Sequence, residues 1–231
     1  MKKIDEIDFA PMYRAHFEAM QRPTSQAAQW DQRAAKIPLS WQPTPYVDYF
    51  VQQMQLQPNQ TVLDVGCGAG DIALAVALRG HSVQALDFSA QMLERLHERA
   101  QALGVAEKIT THHLDWLAPW PQSVVSDVAV ASRSTLVADM QPVLHKLHEF
   151  AQRRVVLSYP GEAGQRTGPD FPQDHVGAGR IAPYFYIPAL LYQHGQWPEL
   201  TYFDVHSNTS KQTKHSRWAV IAWQKQPWLL A

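Results

Sequence analysis

One short stretch constrains this chain more than any other: Val62-Leu63-Asp64-Val65-Gly66-Cys67-Gly68-Ala69-Gly70-Asp71. An apolar β-like run enters a glycine-rich turn, and a helical run opens directly behind it. Glycines at 66, 68 and 70 permit positive φ and let a ligand come close to the backbone, while the helix start offers unpaired N–H groups. The dinucleotide fingerprint Gly-x-Gly-x-x-Gly needs a glycine at position 71, where Asp71 stands. An acid, Asp64, two residues before a Gly-x-Gly-x-Gly turn suits a different ligand.

The rest of the chain repeats the same alternation. Strand-like runs at 61–65, 82–86, 109–114, 127–131 and 155–159 are separated by helical runs at 71–79, 90–103 and 140–152, the first two followed by Gly80 and Gly104. Five strands with helical crossovers predict a parallel sheet. Two further β-like runs, 200–206 and 217–223, flank a polar segment at 207–216 and predict a hairpin. The expected fold is therefore α/β: a doubly wound, seven-stranded, mostly parallel sheet that ends in an antiparallel hairpin. Ahead of it, residues 1–60 carry helical blocks at 11–21, 26–36 and 45–56, the last with Thr44 as cap and Pro45 at its first turn. They are too short and too helical to form a domain and are expected to cap the single domain of residues 61–231.

Composition narrows the function. Twenty basic against 21 acidic residues leave a net charge of −1, without the basic footprint of a nucleic-acid or anionic-membrane binder. One cysteine, Cys67, makes no internal disulfide and no cysteine-based zinc site. No apolar run reaches 18 residues, and Met1–Asp8 mixes two lysines with acids instead of an apolar signal core. A soluble, cytoplasmic protein is expected.

On the glycine loop, the acids around it and the final hairpin, the chain resembles the class I (Rossmann-like) S-adenosylmethionine-dependent methyltransferases, motif by motif over about residues 61–160 and by topology at the hairpin. The resemblance implies that Asp64, Gly66, Cys67, Gly68 and Gly70 hold the methionine end of S-adenosylmethionine, with S-adenosylhomocysteine as product. It implies that Asp87, in Ala85-Leu86-Asp87-Phe88-Ser89, pairs the ribose hydroxyls, since two carboxylate oxygens accept from two vicinal donors. Asp115, in His113-Leu114-Asp115-Trp116, matches the acid that faces the adenine amino group. Phe88 and Met92 are its expected apolar walls, and Trp116 and Ser132 complete the expected contacts. Trp30, in Trp30-Asp31-Gln32-Arg33-Ala34, resembles the tryptophan of a helix that closes over the cofactor.

Methyl transfer from a sulfonium asks for alignment and exclusion of water, so it needs no metal and dictates no obligatory catalytic residue. Arg133, Tyr159 and His175 are the candidates. Family members that methylate exocyclic amines of bases carry Asn/Asp-Pro-Pro-aromatic after the fourth strand; here that position reads Ala131-Ser132-Arg133-Ser134-Thr135-Leu136. A small-molecule acceptor is expected, and the planar fork of Arg133 suits one with a carboxylate or phosphate, unless a neighbouring acid pairs it. The Gly/Pro-rich insertion at about 160–183, with Asp170, His175 and Arg180, is a candidate lid. The aromatic run Tyr184-Phe185-Tyr186 suits helix packing or an apolar wall. His145 and His148 share a helix face and are expected to be solvated. Lys211, Lys214, His215 and Arg217 form one small basic cluster, so an RNA or protein methyltransferase is the alternative, beside a non-catalytic cofactor-binding protein. Nucleic acid and membrane are not expected partners; an oligomer is left open.

Overall fold

The computed structural model describes residues 6–20, 27–161, 183–209 and 212–229. His175 and the rest of the insertion at 162–182 lie outside the described residues, as does Lys211. The side chains of Lys214 and His215 lie outside them as well.

Seven strands form one sheet: β1 (Val62–Val65), β2 (Val83–Asp87), β3 (Ile109–His113), β4 (Ser126–Ala131), β5 (Ala151–Pro160), β6 (Glu199–Thr209) and β7 (Gln212–Gln224), in the order β3-β2-β1-β4-β5-β7-β6. The first five pair in parallel, and β7 runs antiparallel to both its neighbours. Strand order reverses between β1 and β4, and such a switch point opens a crevice at the carboxyl ends of the strands. All four residues of β1 are buried, as a central strand covered on both faces requires.

Helices cover both faces. On one, α1 (Phe9–Ala19), α6 (Met140–Phe150) and α7 (Tyr186–Gln193) pack Tyr13, Leu144, Leu147, Leu190 and Leu191 on Leu63, Ala129 and Leu157. On the other, α3 (Pro45–Gln53), α4 (Asp71–Leu78) and α5 (Ala90–Ala102) pack Phe50, Leu74, Leu93 and Leu96 on Val62, Val128 and Val156. The helix α2 (Ala27–Ala34) lies against α5. The N-terminal helices thus divide between the two faces. Thr44 caps α3 by accepting from the Val47 N–H, and Ser89 caps α5 by accepting from that of Met92.

Two elements are longer than the sequence pattern shows. β5 begins at Ala151, because Arg153 and Arg154 read as polar but sit in the strand. Arg154 is fully buried, donates from Nε to the Gln53 carbonyl at the end of α3, and grips Glu199 with both terminal nitrogens at 3.1 and 3.0 Å. Arg153 donates to the carbonyls of Met54 and Gln55, so two strand arginines satisfy the open end of a helix. The hairpin ladder also continues through the polar segment, as far as Thr209 opposite Gln212. Polarity reports which side chains meet water; backbone pairing is indifferent to it.

The Arg154–Glu199 contact gives a stability prediction. Glu199→Gln should cost about 1–2 kcal/mol in urea denaturation at pH 7, a charge-assisted pair trimmed by solvent around the half-exposed glutamate. Arg154 holds the Glu199 carboxyl below its ordinary range. The contribution is therefore present at neutral pH and disappears as pH falls through that lowered value, where wild type and variant converge.

Candidate active site at the carboxyl ends of the strands

The turn after β1 is built around a buried acid. Asp64 is 1% exposed; the Ala73 N–H at the start of α4 hydrogen-bonds it, while Oδ2 has no hydrogen-bond partner among the described residues. Burial first, and the neighbouring charge of Asp87 second, push its pKa up to about 7. An orphan carboxylate oxygen inside the protein is costly in the free state and suits a cationic donor.

The loop is held in place by β2. The N–H groups of Gly66 and Cys67 both donate to the Leu86 carbonyl, at 2.8 and 2.9 Å. The Gly68 N–H donates to Asp87 Oδ2 at 2.7 Å, and the Ser89 N–H to Oδ1 at 2.9 Å. Burial raises the Asp87 pKa while these N–H donors hold it down. Two glycines need their missing side chain for different reasons. At Gly66, with φ +69°, a Cβ would lie 2.4 Å from the Ser134 Cβ; at Gly68, with φ +53°, a Cβ would meet nothing within 4 Å. The first is packed against protein, the second borders open space. Cys67 is buried within the core behind the loop, and burial raises its thiol pKa, which leaves it a packing residue.

Beyond Asp87, a cavity of about 310 Å3 is lined by Ala27, Phe88, His113, Leu114 and Asp115. It joins Phe88 and Asp115 with His113 and Leu114, which the β3 pattern alone does not distinguish from other strand-end residues. Asp115 is exposed and accepts the Leu117 N–H. Met92 and Trp116 do not line this cavity. Met92 is buried beneath α2 with Ala34 and Ala69, and Trp30 packs on that cluster. Trp116 turns toward Trp120, ring centroids 5.6 Å apart. The α2 helix is fastened there, because Asp31 accepts from the Ser89 hydroxyl at 2.6 Å.

The segment after β4 docks on the loop through Ser134, whose hydroxyl donates to the Val65 carbonyl. Beside it, the Tyr46 hydroxyl lies 2.8 Å from Ser132 Oγ and 2.7 Å from Ser158 Oγ, and the Arg133 N–H donates to Ser158 Oγ. Arg133 adopts φ +59°, a strained backbone for a non-glycine residue. Its guanidinium lies 3.8 Å from the Tyr46 ring centre and 5.0 Å from that of Trp218, and no carboxylate among the described residues forms an ion pair with it. Tyr159 is 1% exposed, its hydroxyl 3.3 Å from that of Tyr13, which also donates to the Val137 carbonyl. Tyr46 and Ser158 lack any sequence signature, since their hydroxyls meet only through the fold.

Two further expectations are resolved. Tyr184 is buried on the core with Leu190 and Leu191, while Phe185 and Tyr192 are exposed, so the aromatic run is chiefly helix packing. His148 is not solvated: it is buried, accepts from the Trp223 indole N–H, and burial pushes its pKa down to about 4. Apolar neighbours on α6 hide only one of the two histidine positions, and the covering Trp223 comes from β7. Among the described residues no cluster of three or more His, Cys, Asp or Glu side chains is arranged to hold a metal ion, and no helix is long and apolar enough to cross a membrane.

Comparison with known proteins agrees with the fold. The family described as "Methyltransferase domain" matches residues 62–153. An uncharacterized protein of Haemophilus influenzae is 33% identical over 212 residues, 88% of this chain and 76% of that one. A ribosomal protein L11 methyltransferase of Dichelobacter nodosus is 32% identical over 134 residues, 58% of this chain but 44% of that one, so the chain spans less than half of that relative's length. Among solved structures, magnesium protoporphyrin IX methyltransferase from Synechocystis with bound S-adenosylmethionine shares the fold at a TM-score of 0.52, with 16% identity over 95% of this chain and 98% of that one.

Two predictions follow from the loop. Because the folded state binds the Asp64 proton more tightly than the unfolded chain does, ligand-free stability should fall as pH rises from about 4 to about 7. Asp64→Asn should remove that fall, seen in thermal unfolding across pH, and weaken S-adenosylhomocysteine binding about 10–100-fold by calorimetry. Gly66→Ala should cost about 2–4 kcal/mol of stability, from φ strain and the clash with Ser134. Gly68→Ala should cost only about 1–2 kcal/mol by denaturation, yet lose cofactor affinity by titration.

Proposed function

Because the chain belongs to the class I S-adenosylmethionine-dependent methyltransferases, we propose that it methylates a small molecule bearing a carboxylate or phosphate, which Arg133 holds beside the glycine loop. The observation that carries this reading is the state of Arg133. Arg133 is an exposed residue whose guanidinium centre lies 3.8 Å from the Tyr46 ring centre and 5.0 Å from that of Trp218, and it has no ion pair with a carboxylate among the described residues. A guanidinium with five N–H donors and no carboxylate partner keeps donors that suit the two oxygens of a carboxylate or phosphate. Its strained backbone and the Tyr46–Ser158 hydroxyl pair keep it at that position instead of letting it sweep through solvent.

The cofactor-binding role of the named residues follows the family pattern. The orphan Asp64 oxygen suits the cofactor's amino group, the open face at Gly68 suits close approach to its methionine end, and Asp87 retains acceptor capacity for ribose hydroxyls. The cavity at Phe88, His113, Leu114 and Asp115 suits the adenine. Bound there, S-adenosylmethionine supplies an activated methyl group. The protein's own contribution is then alignment and dryness: Ser134 fixes the segment after β4 on the loop, so whatever Arg133 holds is registered to the cofactor pocket. Tyr159, buried against Tyr13, contributes packing at this edge in preference to proton transfer.

The net charge of −1 supports a small acceptor over RNA. A methyl-transfer screen over small carboxylates, phosphates, amines and thiols, with bulk RNA and protein alongside, tests it. Transfer to an acid-bearing small molecule is expected, and Arg133→Gln should lower kcat/KM for it about 10–100-fold while cofactor affinity stays unchanged. Acceptor affinity that ignores Arg133, or transfer only to RNA or protein, overturns the reading; cofactor binding with no transfer at all favours a non-catalytic role.

A further inference from the structure

Arg99 has no part in the family motifs, yet it joins the glycine loop to the N-terminal helices. It projects from α5 and is only 5% exposed. Nε and Nη2 both donate to the Pro38 carbonyl, at 2.9 and 2.8 Å, and Nη1 donates to the Ala69 carbonyl at 3.1 Å. The Asp71 carboxylate lies 3.5 Å from Nη1 and also accepts the Trp41 indole N–H at 2.9 Å. The linker between α2 and α3 is thereby tied, at Pro38 and Trp41, to the residues on either side of Gly70.

The Ala69 carbonyl and the Gly70 N–H belong to one planar peptide, so holding the first directs the second. That N–H donates back to the Cys67 carbonyl and closes the turn. The same linker leads from α2, whose Trp30 packs with Ala69 and Met92 above the loop. Space-filling alone does not call for a guanidinium here, because a buried ion is commonly replaced by an apolar side chain of similar volume without loss of stability. A fork that reaches two carbonyls from different segments does what no apolar side chain does.

We propose that Arg99 is a positioning residue for the cofactor site: it holds the Ala69–Gly70 peptide and the α2–α3 linker in one geometry, so the glycine loop and the Trp30 helix engage the cofactor as a unit. The proposal rests on the family reading in taking the glycine loop as the cofactor cradle and the Trp30 helix as its cover. It is tested by calorimetric titration of S-adenosylhomocysteine into wild type, Arg99→Lys and Arg99→Met, with amide hydrogen exchange on each. Arg99→Lys keeps the charge but not the fork; it should stay folded and bind about ten-fold or more weakly, with faster exchange at 66–70 and 37–41 and none of that change in the β5–β7 ladder. In wild type, bound S-adenosylhomocysteine should slow exchange in both segments together. Wild-type affinity in the folded Lys variant overturns the proposal, as does weakened binding that comes with faster exchange throughout the molecule, the mark of a merely structural role. Should neither variant fold, the wild-type measurement decides, and protection of 66–70 without 37–41 overturns it. Failure of wild type itself to bind strikes the cofactor reading instead.

Discussion

A carboxylate buried on an inner strand, with one oxygen unpartnered among the described residues, sets the terms for what surrounds it. Asp64 raises the free energy of the ligand-free protein, so the surrounding structure has to hold it by other means. The loop that follows is therefore tied down on three sides: to the end of β2 through the Leu86 carbonyl and Asp87, to the segment after β4 through Ser134, and to α5 through Arg99. Strain concentrated at a binding site and offset by packing elsewhere is the usual signature of function.

The two sides of the site differ in how they are built. At the glycine loop, backbone groups make most of the contacts, which is why glycine identity and strand ends mark it in the sequence. Around Arg133, side chains from α3, the segment after β4, β5 and β7 converge: Tyr46, Ser132, Arg133, Ser158 and Trp218. Such a constellation is free to change between relatives while the fold stays the same, in keeping with a domain whose solved likenesses share little sequence.

Legibility along the chain follows the same division. The covered strands β1, β2, β4 and β5 were visible as apolar runs, because strands buried on both faces must be apolar on both. The start of β5 was hidden by Arg153 and Arg154, whose charges meet helix carbonyls and Glu199, and the hairpin's full length was hidden by its polar residues. His148 was misread because the residue that covers it, Trp223, is 75 positions away. Around the glycine loop, Asp64, the loop glycines, Asp87, Phe88 and Asp115 were legible as candidates; the contacts of Arg99 and of the Tyr46–Ser158 pair were not, since a polar residue looks solvated until its partner is known.

By itself the sequence determined the α/β class, the mostly parallel sheet with its terminal hairpin, the place of the glycine loop and the absence of a basic footprint. Those properties depend on periodicity, on glycine's backbone freedom and on summed charge, all local or additive. Only the tertiary structure decided that Arg133 lies against Tyr46 and Trp218 and that, among the described residues, it has no carboxylate ion pair and Asp64 Oδ2 no hydrogen-bond partner, and only it decided that Arg99 links two segments 31 residues apart, from Pro38 to Ala69. Those are contacts between distant residues, and burial and partnership are properties of a folded chain, not of any stretch of it.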